Sequence, residues 1–469
     1  MSAAATDCEF MVDETMLMQM MKSLLGKLHP TCLALLISLL MVPGGLSVGT
    51  ACSGLETPHF TGLAVTAALA EMGHAINGFC IDFSCEFDPN KARFIMAFAR
   101  PALIFKDIRD LGKAAANTWK DTIDSIPCVR LFIAGFSCKD MSYLSVKRKA
   151  DGTADYIQKG MGTTGATFAG VILYLVAHMP TAGIFENVKG IRGKPLQDAV
   201  AKIREAGYMV VHRLISAEEV YLPQSRPRMW FFAIRLTLLS AKKVSEETVR
   251  SRLNSVLDLL LMGNPLVPLE RLLLRESHPS IIQDTMTPTS SKRSAGTITC
   301  PNKANWVVKH LESEKTGFDI TCLHKKWCIF EDLKNTFPGL CAMTLREADV
   351  LQRRMMPENF FLGKYPALVM DCNLSLQYQA SCTTVSRGVS PCVLPSGKLF
   401  HTARCRYLKP TECLRLQGLW LKDADLARFE PSVLYSGAGN AFAAPVCGLA
   451  IIAILVVLGE IEKRKIREL

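Results

Sequence analysis

Short apolar segments alternate with amphipathic segments through the first half of the chain. The apolar segments are typical of buried strands, and the amphipathic ones repeat their apolar positions at helical spacing. The pattern predicts a strand that starts near residue 46 and further strands at 76–84, 101–110, 129–134, 182–185, 208–214 and 229–234. It predicts helices at 61–72, 164–178 and 195–207. This alternation indicates an α/β fold with a Rossmann-like, doubly wound and mostly parallel sheet.

The alternation stops near residue 236. Residues 236–404 show no regular pattern and are rich in Cys, Ser, Thr and Pro, with a linker-like stretch at 287–294. Order returns at 406–418, where a helix is predicted with proline near its start and glycine past its end. We therefore predict an N-terminal extension of unknown role (1–46), a core in two parts (47–235 and 406–469) and a smaller inserted domain (236–405).

Charge and cysteine content narrow the function classes. The 469-residue chain has a formal net charge of +11, which favours polyanionic partners, nucleic acid first. Its 17 cysteines include no Cys-x-x-Cys pair, which argues against a disulfide framework and indicates a reducing compartment. Cys322, His324 and Cys328 match no common zinc spacing, so we expect no metal site.

Two apolar stretches raise the question of a membrane. Residues 31–42 are too few to span a bilayer. Residues 443–459 are nearly long enough, but a buried terminal helix is the better interpretation. We expect no membrane span.

The start of the core has the pattern of a cofactor site. A strand runs into a turn at Cys52, Ser53 and Gly54, and a helix follows, so that backbone N–H groups can face a nucleotide-like ligand. Glu86 follows the second strand, where a carboxylate can accept hydrogen bonds from ribose hydroxyls. A plain surface carboxylate is the alternative for Glu86.

Cys138 follows the strand at 129–134. A thiol in this position can serve as a nucleophile at the carboxyl edge of a sheet, but most cysteines at strand ends are packing residues. Taken alone, the segment leaves both interpretations open. The basic segment 143–161 that follows is either a solvated surface or a mobile cover over substrate.

Taken together and in order, these motifs resemble the cytosine-C5 methyltransferases, which use S-adenosylmethionine. The resemblance rests on Gly49-Thr-Ala-Cys-Ser-Gly54, Gly135-Phe-Ser-Cys138, Phe185-Glu-Asn-Val188, Gln224-x-Arg-x-Arg228, the segment 406–418 and Gly439-Asn-Ala441. It implies that the catalytic residues are Cys138, Glu186, Asn187, Arg226 and Arg228. It implies that the cofactor-binding residues are Cys52, Ser53, Gly54, Glu86, Asp107, Ile108 and Asn440.

The resemblance also implies a reaction. Cys138 would add to C6 of a flipped cytosine, Glu186 would hydrogen-bond N3, and Arg228, with Arg226 less directly, would face O2. Double-stranded DNA is the expected substrate, and the insert would be the target-recognition domain. The expected location is the nucleus, with the cytoplasm as the alternative. Transfer to tRNA and a catalytically silent regulatory homologue are the alternatives.

Two segments depart from the family pattern. Members usually have Pro-Cys-Gln at the nucleophile, whereas this chain has Ser137 and Lys139 around Cys138. Glu56 and Thr57 replace glycines that normally follow the first motif. Because proline fixes φ, its loss questions how the nucleophile loop is held.

Overall fold

A computed structural model describes residues 15–142, 155–286, 347, 369–372, 388–401, 403–404 and 406–463. The strands are β1 (Leu46–Ala51), β2 (Phe79–Cys85), β3 (Leu103–Phe105), β4 (Ala115–Asn117), β5 (Ile123–Ser125), β6 (Leu131–Gly135), β7 (Ala182–Val188), β8 (Tyr208–Ser216), β9 (Pro227–Arg235), β10 (Val369–Asp371), β11 (Leu399–His401) and β12 (Arg406–Tyr407). The helices are α1 (Met16–Gly26), α2 (Pro30–Leu40), α3 (Thr57–Glu71), α4 (Pro89–Phe98), α5 (Tyr156–Lys159), α6 (Gly162–His178), α7 (Lys194–Glu205), α8 (Leu236–Lys242), α9 (Glu246–Leu261), α10 (Pro279–Met286), α11 (Pro410–Leu416), α12 (Asp423–Leu426), α13 (Pro431–Asn440) and α14 (Ala444–Glu462).

The central sheet has seven strands in the order β3-β2-β1-β6-β7-β9-β8. β1, β2, β3, β6 and β7 run parallel, and β9 is antiparallel to both β7 and β8. The predicted Rossmann-like, mostly parallel sheet is therefore confirmed. Strand order reverses at β1, so the carboxyl ends of β1 and β6 form the crevice in which such sheets bind ligands.

The antiparallel strand β9 brings its first residues to this same edge of the sheet. Val188, at the end of β7, pairs with Arg228, and Glu186 pairs with Trp230. A strand that entered in the parallel sense would carry its first residues to the opposite edge.

The largest apolar cluster surrounds α14, which packs against α1, α2, α3 and α9. Within the described part of the chain, α14 alone is long and apolar enough to cross a membrane, and its apolar window is wholly buried. It is thus the buried helix that the sequence predicted. Its one buried carboxylate, Glu460, pairs with Arg252 of α9 at 2.6 Å, and Arg252 also reaches the Cys32 thiol of α2 at 3.1 Å.

Some expected elements differ in the structure. The expectation of irregular chain from residue 236 is wrong for α8 and α9, which are regular helices. Ser245 caps α9 by accepting a hydrogen bond from the Thr248 N–H at 3.1 Å, and the helix buries five apolar side chains at helical spacing. The third strand is only three residues long, and α3 starts at Thr57 rather than residue 61.

The chain returns to the core at Ser390, inside the predicted insert, through paired backbone. Ser390 N donates to the Pro223 carbonyl at 2.7 Å, and Ser225 N donates to the Ser390 carbonyl at 2.8 Å. β10, which precedes Ser390, forms a small antiparallel sheet with β11 and β12, which follow it. Where the core ends and the insert begins stays a prediction.

Candidate active site

The turn after β1 is a strained loop in contact with the end of α13. Cys52 and Gly54 both adopt positive φ, at 51° and 73°. A Cβ at Gly54 would lie 2.8 Å from the carbonyl carbon and oxygen of Asn440, so only glycine allows the two segments to touch. Asn440 ends α13, is exposed, and donates its side-chain amide to the Ser436 carbonyl at 2.8 Å. The structure thus brings the predicted cofactor residues 52–54 and 440 together.

Two carboxylates follow the next strands of the sheet. Glu86, after β2, accepts the Asp88 N–H at 2.9 Å, and burial raises its pKa. Asp107, after β3, accepts the Arg109 N–H at 2.9 Å. Burial raises the pKa of Asp107, but hydrogen bonds and charge from Arg109 outweigh this and hold it below its ordinary value. Ile108, next in the chain, is buried.

Phe87 was not predicted from the sequence. Its ring is 72% exposed directly after Glu86, at the carboxyl edge of the sheet. An exposed aromatic ring next to a ribose-binding candidate is the signal that could have identified it, because a planar base packs well on such a ring.

Glu56, which stands where the family usually has glycine, is buried. Its carboxyl is turned inward, 1% exposed, and accepts hydrogen bonds from the Thr50 hydroxyl at 2.5 Å and the Ser53 hydroxyl at 2.8 Å. Burial raises its pKa to about 7 against the opposing effect of these bonds. Glu56 therefore links β1 to residues 52–54, the cofactor turn, through these two hydrogen bonds.

The segment after β6 carries Cys138 in a loop with several backbone contacts. Met141 N and Ser142 N donate to the Cys138 carbonyl at 3.1 and 2.9 Å. A Cβ at Gly135 would lie 2.9 Å from the Cys52 carbonyl oxygen, so this loop lies directly beside the cofactor turn. Burial raises the pKa of the Cys138 thiol, and the positive charge of Arg228 opposes this rise.

β7 supplies Glu186 and Asn187. Glu186 lies 3.0 Å from the Arg228 Nε, and both side chains are largely buried. Burial raises the pKa of Glu186 despite this arginine. Asn187 is fully buried and donates its amide to the Phe136 carbonyl at 2.9 Å, which holds the nucleophile loop against β7.

Arg226 and Arg228 differ in their partners. Arg226 donates to the backbone carbonyls of Val393, Gly439 and Ala441 at 3.0, 3.1 and 2.7 Å, so its terminal nitrogens bind protein rather than an open pocket. Arg226 therefore joins the core to the chain that follows Ser390, through hydrogen bonds to backbone carbonyls.

Cys392 is a second residue that the sequence did not indicate. Its thiol lies 3.3 Å from Arg226 Nη1 and 3.5 Å from Arg228 Nη2. Burial raises the pKa of Cys392, but the two guanidiniums outweigh this and lower it overall. Because Cys392 is far along the chain from both arginines, no feature of the sequence indicated these contacts.

The described residues hold no group of three or more His, Cys, Asp or Glu side chains that could bind a metal ion. Cys322, His324 and Cys328, and residues 143–154 of the predicted cover segment, lie outside the described residues.

Comparison with known proteins decides the family. The model of the C-5 cytosine-specific DNA methylases matches residues 65–451. The chain belongs to this family. The match includes residues on both sides of the predicted insert.

Several methylases are similar over long stretches. The DNA (cytosine-5-)-methyltransferase DMT5 of Cryptococcus neoformans is 26% identical over 426 residues, which cover 88% of this chain and 17% of DMT5. DMT5 of Verticillium dahliae is 22% identical, covering 87% and 19%. The Type II methyltransferase M.NlaX of Neisseria lactamica is 28% identical over 33% of this chain and 48% of its own.

This methylase chain spans less than a fifth of the length of both DMT5 relatives. A crystal structure of a DNA modification methyltransferase encoded within an E. coli prophage aligns with 88% of this chain and 99% of its own, at a TM-score of 0.46 and 17% identity.

Proposed function

We propose that this chain transfers a methyl group from S-adenosylmethionine to C5 of cytosine in double-stranded DNA. The observation that carries the proposal is the meeting of Cys138 and the Glu186–Arg228 pair at one sheet edge, beside the turn at Cys52. A thiol, a carboxyl group and a cation are what addition to a cytosine ring requires.

The cofactor edge fits S-adenosylmethionine. Gly54 and Asn440 approach each other closely, and Gly54 has no side chain to separate the two segments. Backbone groups therefore line the crevice there. Glu86 would bind the ribose hydroxyls, Asp107 and Ile108 would face the adenine, and Phe87 would pack on the ring. When bound, the cofactor supplies an electrophilic methyl group next to the base.

The site residues make C5 of the base nucleophilic. Burial raises the pKa of the Cys138 thiol, so the thiol gives up its proton to solvent water as its sulfur bonds to C6. Glu186 donates a proton to N3, a step that its burial-raised pKa favours, so that N3 can accept the electron density that moves through the ring. Arg228 stabilises the negative charge that develops at O2.

The reverse steps restore the enzyme. After C5 has gained the methyl group, the C5 proton passes to solvent water and the Cys138–C6 bond breaks. The released thiolate takes up a proton from water, and the N3 proton returns to Glu186. C6 is inaccessible in a stacked duplex, so the target base must leave the helix at a cost of a few kcal/mol. Arg226 and Cys392 position Arg228 during these steps.

The test offers radiolabelled S-adenosylmethionine with double-stranded DNA and total tRNA in the same reaction. We expect label at cytosine C5 of DNA and none with Cys138→Ala. Cys128→Ala, which removes an exposed cysteine outside the nucleophile motif, is the matched control. If only tRNA is labelled, tRNA and not DNA is the substrate.

A second measurement separates chemistry from binding. DNA carrying 5-fluorocytosine should form a covalent complex that survives denaturation, because no proton can leave C5. Cofactor binding by calorimetry without transfer to either nucleic acid would indicate a silent homologue and refute the proposal. Transfer that persists in Cys138→Ala would refute the adduct.

A further inference from the structure

The residue before the nucleophile makes a hydrogen bond that proline cannot make. Ser137 N donates to the Thr167 hydroxyl at 2.9 Å. Thr167 lies on α6, and its own hydroxyl proton is directed to the Thr163 carbonyl, one turn back, at 2.8 Å. The hydroxyl therefore acts as donor within the helix and as acceptor for the loop, which uses both of its capacities.

A second contact binds the other side of the loop to the same helix. The Asp140 carboxylate accepts the Thr164 N–H at 2.8 Å, and Asp140 N donates to the Thr164 hydroxyl at 3.1 Å. Asp140 is 3% exposed, so this exchange is shielded from water. Cys138 is thus held between two anchors, Ser137 and Asp140, on the first turns of α6.

We infer that Thr167 is a positioning residue that fixes the Cys138 loop through the Ser137 N–H, in place of the restraint that proline gives other members of the family. Proline limits the backbone by its ring and has no N–H. With Ser137, the backbone is freer, but its N–H can donate a hydrogen bond to a side chain of α6. This inference rests on the proposed function for its kinetic consequence, although its structural consequence is independent of it.

The coupling of the two residues is tested with a double-mutant cycle. Thr167→Val keeps the shape of the side chain and removes the acceptor, leaving the Ser137 N–H unpaired. We expect kcat to fall about tenfold, with the KM for S-adenosylmethionine unchanged, because one partly buried donor loses its partner. Thr167→Ser keeps the hydroxyl and should restore kcat to within about twofold.

Ser137→Pro removes the donor, so Thr167→Val should change kcat little when added to it. The matched control is Thr66→Val on α3, which removes a hydroxyl with the same bond to the carbonyl four residues back, at 2.8 Å, but far from the loop. Thr66→Val should leave kcat unchanged.

A readout without catalysis keeps the inference separate from the proposed function. The rate at which iodoacetamide alkylates Cys138, followed by mass spectrometry of its peptide, reports how firmly the loop is held. Thr167→Val should raise this rate severalfold, and Thr167→Ser should not.

If no methyl transfer occurs in the wild-type protein, the proposed function fails while the alkylation result still tests Thr167. Equal effects of Thr167→Val in the wild-type and Ser137→Pro backgrounds, or equal kcat and alkylation rates in Thr167→Val and wild type, would overturn the inference. Equal impairment of Thr167→Ser and Thr167→Val would overturn it as well.

Discussion

Glu56→Gln isolates the effect of a single buried carboxyl group beneath the cofactor turn. Glutamine has the same shape, can accept the Thr50 hydroxyl bond, and can donate to the Ser53 hydroxyl. It has no charge at any pH. The substitution therefore removes the titration of this site and keeps its hydrogen bonds.

The expected size follows from the shift in pKa. The pKa of Glu56 rises from 4.5 to about 7 on folding, because burial disfavours the carboxylate. Between these values the folded protein binds the extra proton, so the free energy of unfolding falls as pH rises. The shift corresponds to about 3 kcal/mol, fully present as a penalty above pH 7 and absent below pH 4.5. Glu56→Gln should therefore stabilise the protein increasingly from pH 5 to pH 8.

Urea unfolding of both proteins at pH 5, 6, 7 and 8 measures this difference directly. Other carboxyl groups titrate in both proteins and cancel in the comparison. Glu247→Gln removes a carboxylate that is 83% exposed and should give a curve parallel to wild type. A stability difference between Glu56→Gln and wild type that does not change with pH would refute the reasoning.

Four further substitutions test other parts of the structure. Gly54→Ala and Gly44→Ala each place alanine at positive φ, at 73° and 79°, but only the alanine at residue 54 would meet another segment within 4 Å. We therefore expect calorimetry to show loss of cofactor binding for Gly54→Ala alone. Equal losses in the two variants would contradict this. Arg252→Met leaves Glu460 buried without its cation and should lower the free energy of urea unfolding by about 3 kcal/mol, and a change under about 1 kcal/mol would count against the pair. Asn187→Asp sets a carboxylate against a backbone carbonyl, so the single-turnover rate should fall about a hundredfold; a fall of less than about threefold would disprove that role.

Strands were predictable from the sequence because each is a short apolar run followed by a polar turn. The strand at Val129 and its neighbours are buried on both faces, which removes the ambiguity of alternating patterns. Helix α9 was missed because its first turn is polar and its apolar stripe is narrow. Its cap at Ser245 was the available signal.

The candidate catalytic residues were predictable in type, but their contacts were not. Cys138, Glu186 and Arg228 follow from motif order, and the sheet brings them to one edge. Nothing in the sequence links Cys392 to an arginine far earlier in the chain, because that contact depends on the path of the returning segment. The bond from Ser137 to Thr167 was hidden for a similar reason, since a backbone N–H leaves no mark in the sequence.

The position of α14 at the centre of the apolar cluster has a consequence for synthesis on the ribosome. The four helices that pack on it, α1, α2, α3 and α9, are all translated earlier. At typical elongation rates, α1 leaves the ribosome roughly 20 to 90 seconds before α14 does. During that interval the nascent chain carries uncovered leucine-rich faces, which are natural binding sites for chaperones. A ribosome that stalls before residue 444 would release a polypeptide lacking the centre of its core, so quality control of this protein depends on the last helix of the fold.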